Sequence, residues 1–197
     1  MEERYTRTAM TLHWLIALAV LGQIAFGWYL QLIPRLTPER TILVNFHKST
    51  GLVIGLLIVF RFAWRLSHKP PPLPLSMPAW ERRAALTNHV LLYACMLIMP
   101  IAGYTASNFS KFGVKFFNAF LLPPWGVDDR GVYAFFHGLH VATSYVFVSL
   151  IAIHVVAALK HLVSPRHGIF QRILPLRGGR GAGPASRPAA PGPGRSV

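Results

Sequence analysis

The chain has 197 residues, 53% of them hydrophobic and 13% charged, with 20 Lys and Arg against 6 Asp and Glu. A soluble domain carries about 25% charged residues, so the composition excludes an ordinary water-soluble fold and points to lipid as the solvent. The formal net charge of +14 does not indicate nucleic acid as a partner, because the basic residues lie at the ends of apolar blocks and in a low-complexity tail, not along one face of a soluble domain.

About 20 consecutive apolar residues cross a hydrocarbon core as a helix. Four segments meet that length without an Asp or Glu: Met10 to Leu32, Phe46 to Trp64, Leu86 to Tyr104 and Tyr133 to Leu162. The opening MEERYTRTAM is not a signal peptide, since it holds two acids and precedes a block too long for an h-region. Pro34 and Pro38 break the chain after the first segment, and KPPPLPLSMP (Lys69 to Pro78) reads as a polyproline-like strap after the second. The single cysteine, Cys95, lies within the third block and is expected to be a small buried hydrophobe. Between the third and fourth blocks, Phe112 to Trp125 is amphipathic enough to lie on the membrane surface. The expected fold class is all-α, an integral membrane four-helix bundle over residues 1–176, followed by a disordered Gly/Pro/Arg-rich tail over 177–197.

Fourteen of the 20 Lys and Arg fall on the side of both termini and six on the other. The count is 7 against 6 when the chain from Lys160 is left out, so that segment carries much of the bias. The positive-inside tendency then places both termini in the cytoplasm.

An ionisable residue inside a membrane span is costly and marks function by default. Of the 9 His, His68 and His167 fall in polar flanks. His140 and His154 are 14 residues apart, which brings them to nearly the same helix face with about 21 Å of rise between them. His13 enters from the cytoplasmic side, as His154 leaves; His47 and His140 both lie near the outer face. Two pairs at two depths follow, His13 with His154 and His47 with His140. An iron between two imidazoles is six-coordinate and has no open position, which suits electron transfer. His137, three residues before His140, is an alternative outer ligand, and His161 is a further alternative near the membrane edge. His89 is suited either to the inner iron or to a quinone headgroup. Gly51 and Gly55 follow His47 by one and two turns and serve either a flat porphyrin or a helix contact. Arg61 and Arg65 are either propionate partners or basic anchors.

The stretches TLHWLIAL (Thr11 to Leu18), HKSTGLVIGLLIVFRFAWRL (His47 to Leu66), HVLLYACMLIMPIAGY (His89 to Tyr104) and HGLHVATSYVFVSLIAIHVVAALKHL (His137 to Leu162) resemble the bacterial cytochrome b561 family, over almost all of Tyr5 to Pro175. The resemblance implies two non-covalent b haems near opposite faces of the bacterial inner membrane. It implies His13, His47, His140 and His154 as cofactor- and iron-binding residues, and exchange of electrons with ubiquinone or ubiquinol in a respiratory chain. One activity in such families is oxidation of superoxide at the outer face with transfer to quinone; Arg35, Arg40, Lys111 and Lys115 would supply the positive surface. The competing reading is a haem-bearing anchor that relays electrons from a partner dehydrogenase or hydrogenase. A metal-ion carrier is remote, since such a protein wants acidic groups in its spans.

Overall fold

The computed structural model describes residues 5–74, 77–163 and 173. The expected tail over 177–197 and His167 lie outside them. Four helices follow in order, α1 (Arg7–Leu32), α2 (Pro38–Ser67), α3 (Ala79–Asn108) and α4 (Arg130–Val163), with strands β1 (Val114–Phe116) and β2 (Phe120–Leu122) between α3 and α4. Each helix is long and apolar enough to cross a membrane.

The helices outrun the apolar blocks because their ends are set by caps. The Thr6 hydroxyl accepts from the Ala9 N–H at 3.2 Å, which starts α1 three residues before Met10. Thr37 accepts from the Arg40 N–H at 3.2 Å with Pro38 at the first helical turn, the arrangement that a fixed proline φ favours. The start of α2 therefore precedes Phe46 by two turns. At the other end of α1, the Arg40 guanidinium donates to the Leu30 and Ile33 carbonyls, which satisfies acceptors that a helix C-terminus leaves open. The described part of the proline-rich strap, residues 69–74, carries neither helix nor strand.

A small core of Leu12, Ile16, Val20, Ile24, Ile58, Cys95 and Phe147 joins all four helices. Cys95 is buried there as expected. The remaining apolar surface faces outward: Leu18, Leu56 and Val156 are 68%, 72% and 65% exposed. Such a continuous apolar exterior on helices whose backbone bonds are satisfied internally is stable in hydrocarbon and not in water. Helix α1 packs on α2, α2 on α3, and α3 on α4, whereas α1 and α2 approach α4 more sparsely. Where α2 meets α3, a Cβ at Gly55 would stand 3.1 Å from the Pro100 Cβ.

The stretch Phe112 to Trp125 is held against the bundle. It forms an antiparallel hairpin in the register Val114↔Leu122, Lys115↔Leu121, Phe116↔Phe120, turning through Phe117 and Asn118 at positive φ. The hairpin is tied to the N-terminal half of α2. The Phe117 N–H donates to the fully buried Ser49 hydroxyl at 2.8 Å, Lys48 Nζ donates to the Gly113 carbonyl at 3.0 Å, and Asn45 Nδ2 donates to Asn118 Oδ1 at 3.0 Å. Phe112, Phe120, Leu121 and Trp125 remain exposed. At the opposite end of the bundle, Lys160 Nζ donates to Glu81 Oε1 at 2.9 Å and joins α4 to the start of α3.

Candidate functional site

Two groups of imidazoles occupy the space between α4 and the α1–α2 pair. At the hairpin end, the rings of His47 and His140 have their centroids 6.1 Å apart with planes at 87°. At the end that holds the N-terminus, the rings of His13 and His154 are 6.3 Å apart with planes at 71°. His89 of α3 joins the second group, 5.3 Å from His154. His137 is placed apart from His47, its ring stacked on Tyr133 at 5.5 Å and 20°. His161 stands in the last turn of α4, and His68 stacks on Trp64 at 4.0 Å.

The spacing of each pair can be compared with what a shared metal requires. An imidazole nitrogen lies about 2 Å from a bound transition metal and about 1 Å from its own ring centre, so two rings on opposite sides of one metal have centres about 6 Å apart. Both pairs meet this value. Among the described residues, no group of three or more His, Cys, Asp or Glu is arranged to hold a metal ion by itself. Two axial imidazoles with the remaining donors supplied by a porphyrin fit these residues better than a bare ion does.

The hairpin-end pair is oriented by its neighbours. His140 Nδ1 lies 2.9 Å from the Met99 carbonyl. A carbonyl only accepts, so Nδ1 carries the proton and Nε2 keeps its lone pair, the tautomer a metal needs. Gly103, one turn after Met99, makes the approach possible: a Cβ there would stand 2.9 Å from His140 Nδ1. Gly27 of α1 does the same for His47, where a Cβ would stand 3.0 Å from Cε1. The Nδ1 of His47 is buried with no hydrogen-bond partner among the described residues.

The glycines singled out in the sequence serve helix contacts. Gly55 faces Pro100, and Gly51 faces Gln23, whose Nε2 would lie 3.2 Å from a Cβ at that position. The glycines that face imidazoles are Gly27 and Gly103, which the sequence reading passed over. Gln23, Met99 and Pro100 were missed as well; a glutamine in the middle of an apolar span was the one available signal.

At the N-terminal end, Arg61 Nη1 donates to the Ala9 carbonyl at 2.9 Å and Nη2 lies 3.4 Å from His13 Nδ1. The Arg65 guanidinium sits over the Tyr93 ring at 5.4 Å. Arg61, Arg65, Trp64, His68 and Tyr93 line a shallow open depression beside this group. On the hairpin side, the four basic residues expected to form one positive surface divide their work. Arg40 caps α1, and Lys111 lies 3.8 Å from Asp128.

Four apolar spans, with imidazole pairs at two depths between α4 and the α1–α2 pair, point to a multi-pass membrane protein of the cytochrome type. The sequence profile of the prokaryotic cytochrome b561 family matches residues 4–176, and the chain belongs to that family, whose cofactor is b-type haem and whose work is electron transport. It is 31% identical over 174 residues to cytochrome b561 homolog 2 of Escherichia coli strain K12, covering 87% of this chain and 92% of the relative. It is 24% identical over 178 residues to cytochrome b561 homolog 1 of the same strain, covering 88% and 98%.

Proposed function

We propose that the chain holds two b haems, one between His47 and His140 and one between His13 and His154, and carries electrons across the bacterial inner membrane to or from ubiquinone. The observation that supports this most directly is the pair of ring separations, 6.1 and 6.3 Å, on imidazoles that α4 carries 14 residues apart. Both termini are assigned to the cytoplasm, which makes the hairpin end the outer one.

Bound haem supplies a one-electron couple at each depth. The protein supplies the geometry. Met99 holds His140 in the ligating tautomer, and Gly27 and Gly103 leave room for the rings. The apolar core keeps water from the path between the two levels, about 21 Å apart along α4. Ligation through Nε2 would put the proton of His13 on Nδ1, and Arg61, which keeps its bond to the Ala9 carbonyl through Nη1, would offer Nη2 to haem propionates beside Arg65, a task for which a guanidinium is well shaped. For superoxide as the outer donor, Arg35, Arg40, Lys111 and Lys115 would attract the anion, since the carbonyls that Arg40 caps leave its charge in place and Asp128 offsets only Lys111.

The test is transfer across a sealed membrane. Vesicles containing the purified chain and entrapped ferricyanide should reduce the ferricyanide when ubiquinol is supplied outside, and His47→Ala should abolish the reduction. A rate equal to that of protein-free vesicles would contradict the proposal. Recovery of the rate only with a co-purifying dehydrogenase would favour the anchor-subunit reading.

A further inference from the structure

Gln23 is the polar residue in the middle of α1, and both ends of its amide are used. Its Nε2 donates to the His47 carbonyl at 2.6 Å, and its Oε1 lies 2.8 Å from the Thr50 hydroxyl, whose single proton it shares with the Phe46 carbonyl at the same distance. The amide therefore grips the single turn of α2 that carries His47. It reaches the helix backbone because position 51 is glycine: a Cβ there would stand 3.2 Å from Gln23 Nε2. One turn further along α1, Gly27 meets the His47 ring itself, and Phe26 sets an edge against it at 5.8 Å.

The two rings of this pair are held by different means. His140 is fixed through its own Nδ1, bonded to the Met99 carbonyl. A metal-binding histidine is usually oriented in this way. His47 has no such bond, since its buried Nδ1 lacks a partner among the described residues. Its direction depends on where α1 places the backbone of that turn and on the wall that Phe26 and Gly27 provide.

We propose that Gln23 is a positioning residue for His47, setting the plane of its imidazole against that of His140 by clamping the α2 turn that bears it. This rests on the reading of His47 as a haem ligand. The near-perpendicular angle of 87° between the rings is the quantity under its control. For low-spin ferric iron between two imidazoles, the g-values depend on that angle, so electron paramagnetic resonance reads it directly.

The experiment compares wild type, Gln23→Leu, Gln23→Glu, Gly51→Ala and His47→Ala as full-length chains in detergent, by haem content, resonance spectrum and redox titration. Gln23→Leu should keep both haems, shift the g-values of one low-spin signal and leave the other unchanged. Its potential should move by enough to change the reduction equilibrium about tenfold, or 59 mV for one electron. Gln23→Glu, protonated in so apolar a setting, keeps both hydrogen bonds and should restore the wild-type signal. Gly51→Ala displaces the amide and should reproduce the Gln23→Leu signal, without a further shift when the two changes are combined. Unchanged g-values and potentials in Gln23→Leu, with one haem lost in His47→Ala, would overturn the positioning role alone. Should Gln23→Leu fail to fold, unchanged signals in Gly51→Ala would overturn it equally. Retention of both haems in His47→Ala would instead remove the ligand reading on which the role depends.

Discussion

On the proposed assignment, His140→Ala and His47→Ala are each expected to leave a folded chain with one haem of two, and His13→Ala and His154→Ala are each expected to remove the other. The size of the effect follows from coordination. A bis-imidazole iron that loses one axial ligand loses the group that fixes it between two helices, and α4 contacts α1 and α2 more sparsely than it contacts α3. His89→Ala retains both haems, because the ring of His89, 5.3 Å from His154, stands closer than a shared metal between opposite rings allows. His137→Ala also retains both, since its ring is committed to Tyr133. Haem content by pyridine haemochrome, alongside circular dichroism for helix content, separates these outcomes. Loss of a haem in His137→Ala with none in His140→Ala would require a different pair at the hairpin end.

The second large effect touches no ligand. Gly103→Val places a branched side chain where even a Cβ would lie 2.9 Å from His140 Nδ1. Overpacking of this kind costs about 1–3 kcal/mol, and here the strain falls on the hydrogen bond to the Met99 carbonyl that sets the tautomer. The variant is expected to lose the hairpin-end haem or to bind it with altered spectrum, while the other haem is unaffected. Gly138→Val is the control: it lies two residues from His140 on α4, and a Cβ there meets nothing within 4 Å. Equal haem content and identical spectra in both variants would show that the Gly103 contact is unimportant.

The parts of this architecture visible in the sequence are those governed by local periodicity and by the solvent. Apolar blocks without acids specify spans, and fixed helical rise with alternating chain direction sorts histidines into depths. From these alone His13 is matched to His154 and His47 to His140, and the structure sets those rings beside one another. The helix ends were less legible because apolarity stops at the membrane surface, whereas the helix runs on to its cap. Thr37–Pro38 is a readable start signal that an apolarity criterion ignores. The hairpin was hidden for a different reason. Its strands are three residues long, too short for alternation to register, and its turn depends on Asn118 and on Phe117 held by Ser49 across 68 residues of sequence.

The least legible features were the groups that orient the imidazoles. Met99 acts through a backbone carbonyl, which every residue has. Gly27 and Gly103 act by lacking an atom at one tertiary contact, and nothing local separates them from Gly22 or Gly138, which meet nothing within 4 Å. Gly51 and Gly55 were noticed because they follow His47 at helical spacing, yet that spacing places them against α1 and α3. Gln23 was open to notice, as a polar amide in a span has to find partners; which partners it finds is known only once α1 and α2 are packed together.

The central claim is tested most directly by the reduced-minus-oxidised spectrum of the purified chain with its haem-to-protein ratio. A b-type signal with a ratio near two, and two low-spin ferric centres in the oxidised protein, is the predicted result. A chain that folds with four helices and carries no haem after expression with ample haem supply would contradict it.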